Sequence, residues 1–244
     1  MFAFSRWSVK NKLLALFLML NLITVTAYSV YGFILKSQGV VAEIDSRLTA
    51  SASPRRRELL AQIGLSCIQL PMDIDETVLP DEAPADYVLR LAAAKARAGW
   101  ARVAAEGLPA RPLLAADTTV TVDGEILGKP ADAFEARAML QRLSGRSHEV
   151  LTAVAVCQGA RADSALSVSR VELLPLTAAM LDGYIASGEP FDKAGAYGIQ
   201  GRAASFIAHL DGSYSGVMGL PLCETARLLA MHGLDILGSH GHEQ

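Results

Sequence analysis

The distribution of apolar residues divides the chain at about Ser46. Upstream, Leu13–Leu35 is a run of 23 residues without a charged side chain, long enough as a helix to cross the roughly 30 Å hydrocarbon core of a bilayer. Downstream, short apolar runs alternate with patterns of helical period, an order typical of an α/β domain. The sequence therefore predicts a basic segment, membrane helix and linker over residues 1–45, one domain over 46–238, and a frayed tail over 239–244.

The downstream patterns predict five helices and three strands. Ser53 and Pro54 supply an N-cap and a favoured first-turn proline, and Gly64 lies where a C-terminal cap is expected, which sets the first helix at Pro54–Ile63. The other helices are predicted over Ala83–Ala105, Ala133–Leu143, Thr177–Ser187 and Leu222–Met231. Strands are predicted over Leu113–Ala116, Glu149–Val156 and Ser167–Leu173.

The residues that flank Leu13–Leu35 indicate an orientation for the predicted membrane helix. Three basic residues precede the run, namely Arg6, Lys10 and Lys12. By the positive-inside rule they place the N-terminus in the cytoplasm. A cleaved signal peptide fits less well, because the run exceeds the usual apolar length of roughly 7 to 15 residues. A buried segment is the third alternative. The stretch also resembles the first membrane helix of bacterial chemotaxis receptors.

Composition narrows the function classes. Apolar residues make up 51% of the 244 residues and the mean hydropathy is +0.29, which excludes a disordered chain. A net charge of −3 argues against a protein that coats nucleic acid, because that requires a basic surface to displace counterions. Cys67, Cys157 and Cys223 are odd in number and widely spaced, so that neither a disulfide framework nor a zinc site is indicated.

Two segments have the residues that phosphate chemistry requires. Around Ser53, small residues precede a helix whose first turn carries Arg55, a pattern that can hold an anion at a helix N-terminus. A capped helix with a solvated basic face explains the same residues. Asp117 directly follows the strand predicted over Leu113–Ala116, where a carboxylate can hold a metal or activate water. The alternative is that Asp117 only ends the strand.

Two further segments contain glycines beside charged or amide side chains. Gly124–Pro130 differs from a P-loop in glycine spacing and in Pro130, so that Lys129 is interpreted as a lysine on a turn after a strand hairpin, able to contact phosphate. In Asp192–Gly201, three glycines allow close approach to a planar ligand, and Gln200 offers both a donor and an acceptor. A flexible surface loop is the alternative. His148 is a candidate base, although a structural role is the simpler interpretation.

Seven ordered segments closely resemble the Maf family of nucleotide pyrophosphatases. They read SASPRRRELLAQIGL, IDETVLPDEAPADYVLRLAAAKARAG, AADTTV, GEILGKP, MLQRLSGRSHEVLTAVAV, DKAGAYGIQG and GSYSGVMGLPLCET. The resemblance covers about Arg47 to Leu229. It implies a single Maf-like α/β domain with a mixed sheet flanked by helices, and hydrolysis of a nucleoside triphosphate to the monophosphate and pyrophosphate with Mg²⁺ or Mn²⁺.

The resemblance also implies roles for individual residues. Asp117 falls on the position of the general base, and Glu76 and Asp117 are the implied metal contacts. The implied substrate-binding residues are Ser53, Arg55, Lys95, Thr118, Lys129, Lys193 and Gln200. The YGIQG segment resembles the branch that acts on dTTP and UTP, since a neutral pyrimidine edge suits an amide at Gln200, whereas the branch for cationic 7-methyl-GTP has an acid there.

The chain departs from the family pattern at its first strand and upstream of it. Arg47 and Thr49 flank Leu48 in a strand expected to be buried and apolar, which predicts a weakened strand. The family is also ordinarily soluble, so that a junction between two unrelated sequences is expected near Ser46. The resemblance predicts a cytoplasmic domain whose partner is the nucleotide, with a homodimer left open. The alternative is a module anchored in the inner membrane through Leu13–Leu35, which binds nucleotides or senses them without turnover.

Overall fold

The structure, a computed structural model, describes residues 48–51 and 53–236, with only the backbone described at Ser51. The predicted membrane helix Leu13–Leu35 and the predicted tail 239–244 lie outside the described residues. Within the described ranges, none of the helices combines the length and the apolar character that a membrane span needs.

The described residues contain one seven-stranded mixed sheet. Its strands are β1 (Leu48–Ser51), β2 (Cys67–Leu70), β3 (Leu113–Val122), β4 (Glu125–Leu127), β5 (Ser147–Gln158), β6 (Arg161–Leu173) and β7 (Ile207–Asp211). They follow the order β2-β1-β3-β5-β6-β7, with β4 paired to β3. The β1–β2 and β1–β3 pairs are parallel and the other pairs are antiparallel. The mixed α/β sheet expected from the family resemblance is confirmed.

Helices flank both faces of this sheet. They are α1 (Pro54–Gln62), α2 (Pro84–Ala105), α3 (Ala133–Leu143), α4 (Ala178–Ala186), α5 (Tyr214–Met218) and α6 (Leu222–Met231). Short 3-10 turns cover Glu189–Asp192, Ala194–Ala196 and Arg202–Phe206. The predicted helices are confirmed, and α3 and α6 have the predicted bounds.

The two faces of β3 pack against different helices because alternate side chains of a strand lie on opposite faces. Leu113 and Ala115 lie in the core with α2, whose Gly99 has room for no Cβ beside Leu113. Leu114 and Ala116 face α1 and α6, and Val120 joins the core formed with α3 and α4. Asp117 therefore lies on the face covered by α2.

The strands differ from the prediction in extent and in number. β3 continues for six residues beyond the predicted end at Ala116, because the β-branched residues 118–122 continue the buried strand pattern, and Asp117 lies within the strand. β2 and β7 were not predicted, since both are short edge strands without regular alternation of burial. Leu48 and Thr49 are both buried between β2 and β3, and the weakening expected for the first strand stays a prediction.

Candidate active site

An opening along one edge of β3 locates the candidate site. On that edge β1 pairs only with Leu113 and Leu114, and β4 pairs only from Val120 onward. Between these two pairings, no strand of the described part of the chain lies beside the residues around Asp117 on that side. A cavity of about 630 Å³ lies here, lined by the end of the β1–α1 connection, by β3 and β4, and by the segments around 193 and 218.

The lining of this cavity has an excess of positive charge. Five lining side chains are cationic and three are anionic, in a chain whose net charge is −3. The cationic residues are Arg55, Arg56, Lys95, Lys129 and Lys193, and the anionic residues are Glu76, Asp117 and Asp192. A polyanionic ligand therefore matches the charge of the cavity.

Lys95 joins two carboxylates at one point of the lining. Its Nζ lies 2.7 Å from Asp117 Oδ1 and 2.5 Å from Glu76 Oε1. The side chains of Lys95 and Asp117 are only 13% and 12% exposed, whereas that of Glu76 is 53% exposed. Burial raises the pKa of Asp117, and the neighbouring Lys95 ammonium and Arg56 guanidinium oppose that shift. A carboxylate whose pKa is raised is a stronger base than an exposed one.

The two carboxylates beside Lys95 form a donor set that suits a hard divalent cation. Glu76 and Asp117 contact the same ammonium, so that their oxygens lie close together at the cavity wall. Mg²⁺ is commonly bound by one or two carboxylates together with substrate phosphates and water, and does not need a cage built only from protein atoms. The described residues contain no group of three or more His, Cys, Asp or Glu that could hold a metal.

Arg56 is a lining residue that the sequence analysis did not identify. Its Nε donates to the carbonyl oxygen of Gly219 at 2.8 Å, which joins the start of α1 to the end of α5 across 163 residues. Burial lowers the pKa of the Arg56 guanidinium, and the nearby Asp117 opposes that shift. Three consecutive arginines in the sequence do not show which one turns inward.

Arg55 and Lys193, two other lining cations, share the carboxylate of Asp192. The guanidinium of Arg55 donates to the backbone oxygen of Asp192 at 3.2 Å and to its Oδ2 at 3.3 Å. Lys193 Nζ donates to Asp192 Oδ1 at 2.6 Å and to the backbone oxygen of Glu189 at 2.7 Å. These hydrogen bonds fix both cations at the cavity wall, and both belong to the cavity lining.

Ser53, Thr118 and Lys129 also lie in the lining. Ser53 is the N-cap of α1, as predicted, and its hydroxyl accepts from the backbone N–H of Arg56 at 3.5 Å. Thr118 Oγ1 accepts from Thr152 Oγ1 at 3.0 Å. Lys129 follows the β3–β4 hairpin, as the sequence predicted, and is exposed. The structure thus brings eight of the nine predicted site residues to one cavity.

Gln200 is the predicted site residue that lies outside this lining. Its side chain is exposed, and its Oε1 lies near the backbone of Gly198. The assignment of base recognition to Gln200 therefore stays a prediction that rests on the family resemblance.

His148 belongs to the core and not to this cavity. Its ring is buried, and Nε2 forms a 2.7 Å hydrogen bond with the hydroxyl of Tyr197. Burial lowers the pKa of His148 to about 4. These contacts favour the structural interpretation of His148 over a role as the base.

Comparisons with known proteins identify the family of the chain. The family described as Maf-like protein matches residues 48–232. Proteins named dTTP/UTP pyrophosphatase are similar to the chain: one from Chromobacterium violaceum is 56% identical over 79% of this chain and 98% of its own length. The corresponding protein from Bordetella avium is 58% identical over 76% of this chain and 94% of its own length.

A solved structure from Mycobacterium abscessus, described as nucleoside-triphosphatase / dITP/XTP pyrophosphatase, covers 80% of this chain and 100% of its own, at 16% identity and a TM-score of 0.35. That likeness is too low to carry an argument. The family match spans the elements that build the cavity, from β1 to the end of α6, and the relatives cover almost all of their own length. The chain therefore belongs to the Maf-like protein family.

Proposed function

We propose that this chain hydrolyses dTTP and UTP to the nucleoside monophosphate and pyrophosphate. The observation that carries the proposal is the buried Asp117 carboxylate, held by Lys95 in a cavity with a net positive lining. The relatives named dTTP/UTP pyrophosphatase support the substrate, since they are 51–58% identical over three quarters or more of the chain.

Asp117 is the residue that we assign as general base. Water attacks phosphorus poorly, so a carboxylate that orients the water and takes its proton lowers the barrier. The raised pKa of Asp117, caused by burial, favours proton acceptance, and the 2.7 Å contact with Lys95 holds the carboxylate in place. In the overall reaction one water is consumed, the bridge between the α- and β-phosphorus atoms breaks, and pyrophosphate leaves.

The cationic residues hold the triphosphate and the departing pyrophosphate. Arg55 and Lys193 lie together at one wall, where Asp192 now accepts their hydrogen bonds. Phosphate oxygens can replace Asp192 as acceptors, because that carboxylate is largely exposed and free to turn toward solvent. Lys129, which is exposed at the end of the hairpin, adds a third cation to this set.

Glu76 and Asp117 are the residues that would hold a divalent metal, Mg²⁺ or Mn²⁺. A bound metal neutralises phosphate oxygens and lowers the pKa of bound water. Lys95 occupies the position between the two carboxylates in this structure, so its ammonium supplies part of the same charge neutralisation. The exposure of Glu76 allows it to turn without unfolding its surroundings.

The alternative is a nucleotide-binding or sensory module without turnover, and the two differ in a single measurement. The full chain should be incubated with a panel of triphosphates, including dTTP, UTP, dCTP, CTP, dATP, GTP and 7-methyl-GTP, with Mg²⁺ or Mn²⁺ and with a chelator as control. Pyrophosphate and monophosphate are quantified. We expect the highest kcat/KM for dTTP and UTP, and loss of turnover on chelation.

Two outcomes would contradict the proposal. Equal or higher kcat/KM for 7-methyl-GTP would overturn the substrate assignment while leaving the reaction type in place. Tight binding of dTTP by a folded protein, with no release of pyrophosphate, would favour the binding module instead.

A further inference from the structure

The glycine-containing segment from Lys193 to Arg202 is tied to the rest of the domain by two side chains that lie outside the cavity lining. Glu189, in the preceding 3-10 turn, accepts from the Tyr184 hydroxyl at Oε1 (2.9 Å) and from the backbone N–H of Arg202 at Oε2 (2.9 Å). Tyr184, on α4, accepts in turn from the backbone N–H of Gly198 at 3.3 Å. The two side chains therefore bind the middle and the end of the segment.

The beginning of the same segment is held by the backbone of Glu189. Lys193 Nζ donates to the carbonyl oxygen of Glu189 at 2.7 Å, and the Lys193 side chain is only 11% exposed. A Cβ at Gly201 would clash with the Glu189 carboxylate, and a Cβ at Gly198 would clash with the Lys193 side chain. The glycines thus allow the backbone to lie directly against the residues that fix it.

We propose that Glu189 is a positioning residue for Lys193. Its carboxylate, together with the Tyr184 hydroxyl, fixes the segment so that the Lys193 ammonium stays beside Arg55 at the cavity wall that we propose to bind the phosphates. The inference rests on the proposed function for its kinetic consequence. The restraint on the segment consists only of hydrogen bonds made by Glu189 and Tyr184, and it does not depend on that function.

The acceptor geometry explains why a carboxylate is needed here. A carboxylate accepts at both oxygens, so it can serve the Tyr184 hydroxyl and the Arg202 N–H at the same time. An amide has one oxygen, and its NH₂ group cannot accept from either donor. Glu189→Gln therefore keeps the size of the side chain but leaves one of the two donors unpaired. Tyr184→Phe keeps the ring, which packs edge-on against Phe206 at 5.1 Å, and removes only the hydroxyl.

A double-mutant cycle separates positioning from general stability. Glu189→Gln and Lys193→Gln should each raise KM for dTTP at least fivefold, because each weakens the hold on the phosphates. If Glu189 acts through Lys193, adding Glu189→Gln to Lys193→Gln should change kcat/KM by less than twofold. Full multiplication of the two effects would overturn the proposal, since it would mean that Glu189 acts by another route.

Glu135→Gln is the matched control. Glu135 also accepts a backbone N–H, that of Ala131 at 2.7 Å, but it lies on α3 outside the cavity lining. An amide oxygen can still serve that single donor, and we expect kcat and KM within twofold of the original chain. Equal losses in Glu135→Gln and Glu189→Gln would count against positioning.

Hydrogen exchange tests the restraint whether or not the chain hydrolyses nucleotides. In the full chain, Glu189→Gln and Tyr184→Phe should each speed amide exchange at Gly198 or Arg202 by at least tenfold, with little change in the β3–β5 pairs. Unchanged exchange at both amides would overturn the proposal even in an active enzyme. Failure of the nucleotide panel with faster exchange would instead refute the proposed function and keep the restraint.

Discussion

At the scale of single residues, the contact with the widest consequences joins the Asp117 carboxylate to the Lys95 ammonium. The carboxylate is buried on the α2 face of β3, and the ammonium beside it compensates part of the cost of that burial. Glu76 contacts the same ammonium from a more exposed position. Removal of the Asp117 charge would therefore act on the proposed proton acceptor itself, whereas removal of the Lys95 charge would act through the pKa of Asp117.

Asp117→Asn should keep the fold and lose most of the activity. An amide has nearly the shape of the carboxylate, but it cannot accept the proton of water, and loss of a general base typically lowers the rate by about 10² to 10⁴. Steady-state kinetics on dTTP measure the effect. Asp123→Asn is a suitable control, because Asp123 is an exposed hairpin residue paired with Arg146. Activity of Asp117→Asn within about threefold of the original chain would place the base elsewhere.

Lys95→Met should move the acidic limb of the pH profile of kcat/KM to higher pH. Burial already raises the pKa of Asp117, and the Lys95 charge opposes that rise, so without the charge the carboxylate takes up its proton at higher pH and the base is lost earlier on acidification. Lys129→Met serves as the comparison, since it removes a lining cation that makes no contact with Asp117. A limb that moves equally in both variants would contradict the coupling.

At the scale of elements, the 3-10 turn Ala194–Ala196 brings the Lys193 segment against the sheet. Gly195 and Ala196 both have positive φ, 68° and 60°, and Gly195 N–H donates to the Gly128 carbonyl at 3.0 Å. A Cβ at Gly195 would lie 2.9 Å from Val120 Cγ1. At position 195 only glycine can adopt the positive φ and also leave room for the Val120 side chain without strain.

Gly195→Ala should lower the free energy of unfolding by about 1 to 3 kcal/mol, from the left-handed conformation together with the contact at Val120. Urea denaturation gives the value. Gly159→Ala isolates the first contribution, because Gly159 has φ of 65° and nothing lies within 4 Å of its Cβ position. The Gly195 variant should be the less stable of the two, and equal losses would show that Val120 moves aside.

The elements that the sequence predicted best are those with their own end signals. α3 begins after Asp132, whose carboxylate caps the Glu135 N–H at 2.8 Å, and its predicted bounds agree with the structure. The short edge strands β2 and β7 have no such signal and no regular alternation of buried and exposed side chains. The opening beside Asp117 depends on where β1 and β4 stop pairing with β3, which a local pattern cannot reveal.

The residues of the site also differ in whether the sequence could identify them. The family resemblance identified Asp117, Lys95 and Glu76, and the structure brings them into contact. It did not distinguish Arg56 from its neighbours, because the acceptor of Arg56 is a backbone carbonyl far away in the sequence. Glu189 carried no signal either, since its role depends on hydrogen bonds to Tyr184 and to the backbone of Arg202.

At the scale of the whole domain, His148 couples stability to pH. Burial lowers its pKa to about 4, whereas an unfolded histidine titrates near 6.5. Above about pH 6.5 the ring is neutral in both states, and between about pH 6.5 and 4 only the unfolded state gains the proton. Folding is therefore disfavoured progressively as the pH falls through this window.

His148→Gln should reduce this acid sensitivity. The loss expected from the His148 ring is up to about 3 kcal/mol between pH 7 and 4. Denaturation curves at several pH values measure it, and the slope of stability against pH should be shallower in the variant even if the variant is less stable at pH 7. His209→Gln changes an exposed histidine and should keep the original slope. Equal slopes for the original chain and His148→Gln would assign the sensitivity to other groups.

The hydrogen bond between Arg56 and Gly219 has a consequence for biosynthesis. The two residues are 163 positions apart, so at about 5 to 20 residues per second a ribosome needs on the order of ten seconds or more to add the second after the first. During that interval the nascent chain carries an arginine whose acceptor does not yet exist. Asp117, the proposed general base, is also made well before the wall around Gly219. Translation thus completes the cavity late, and a chain released early would contain the proposed base without the full cavity around it.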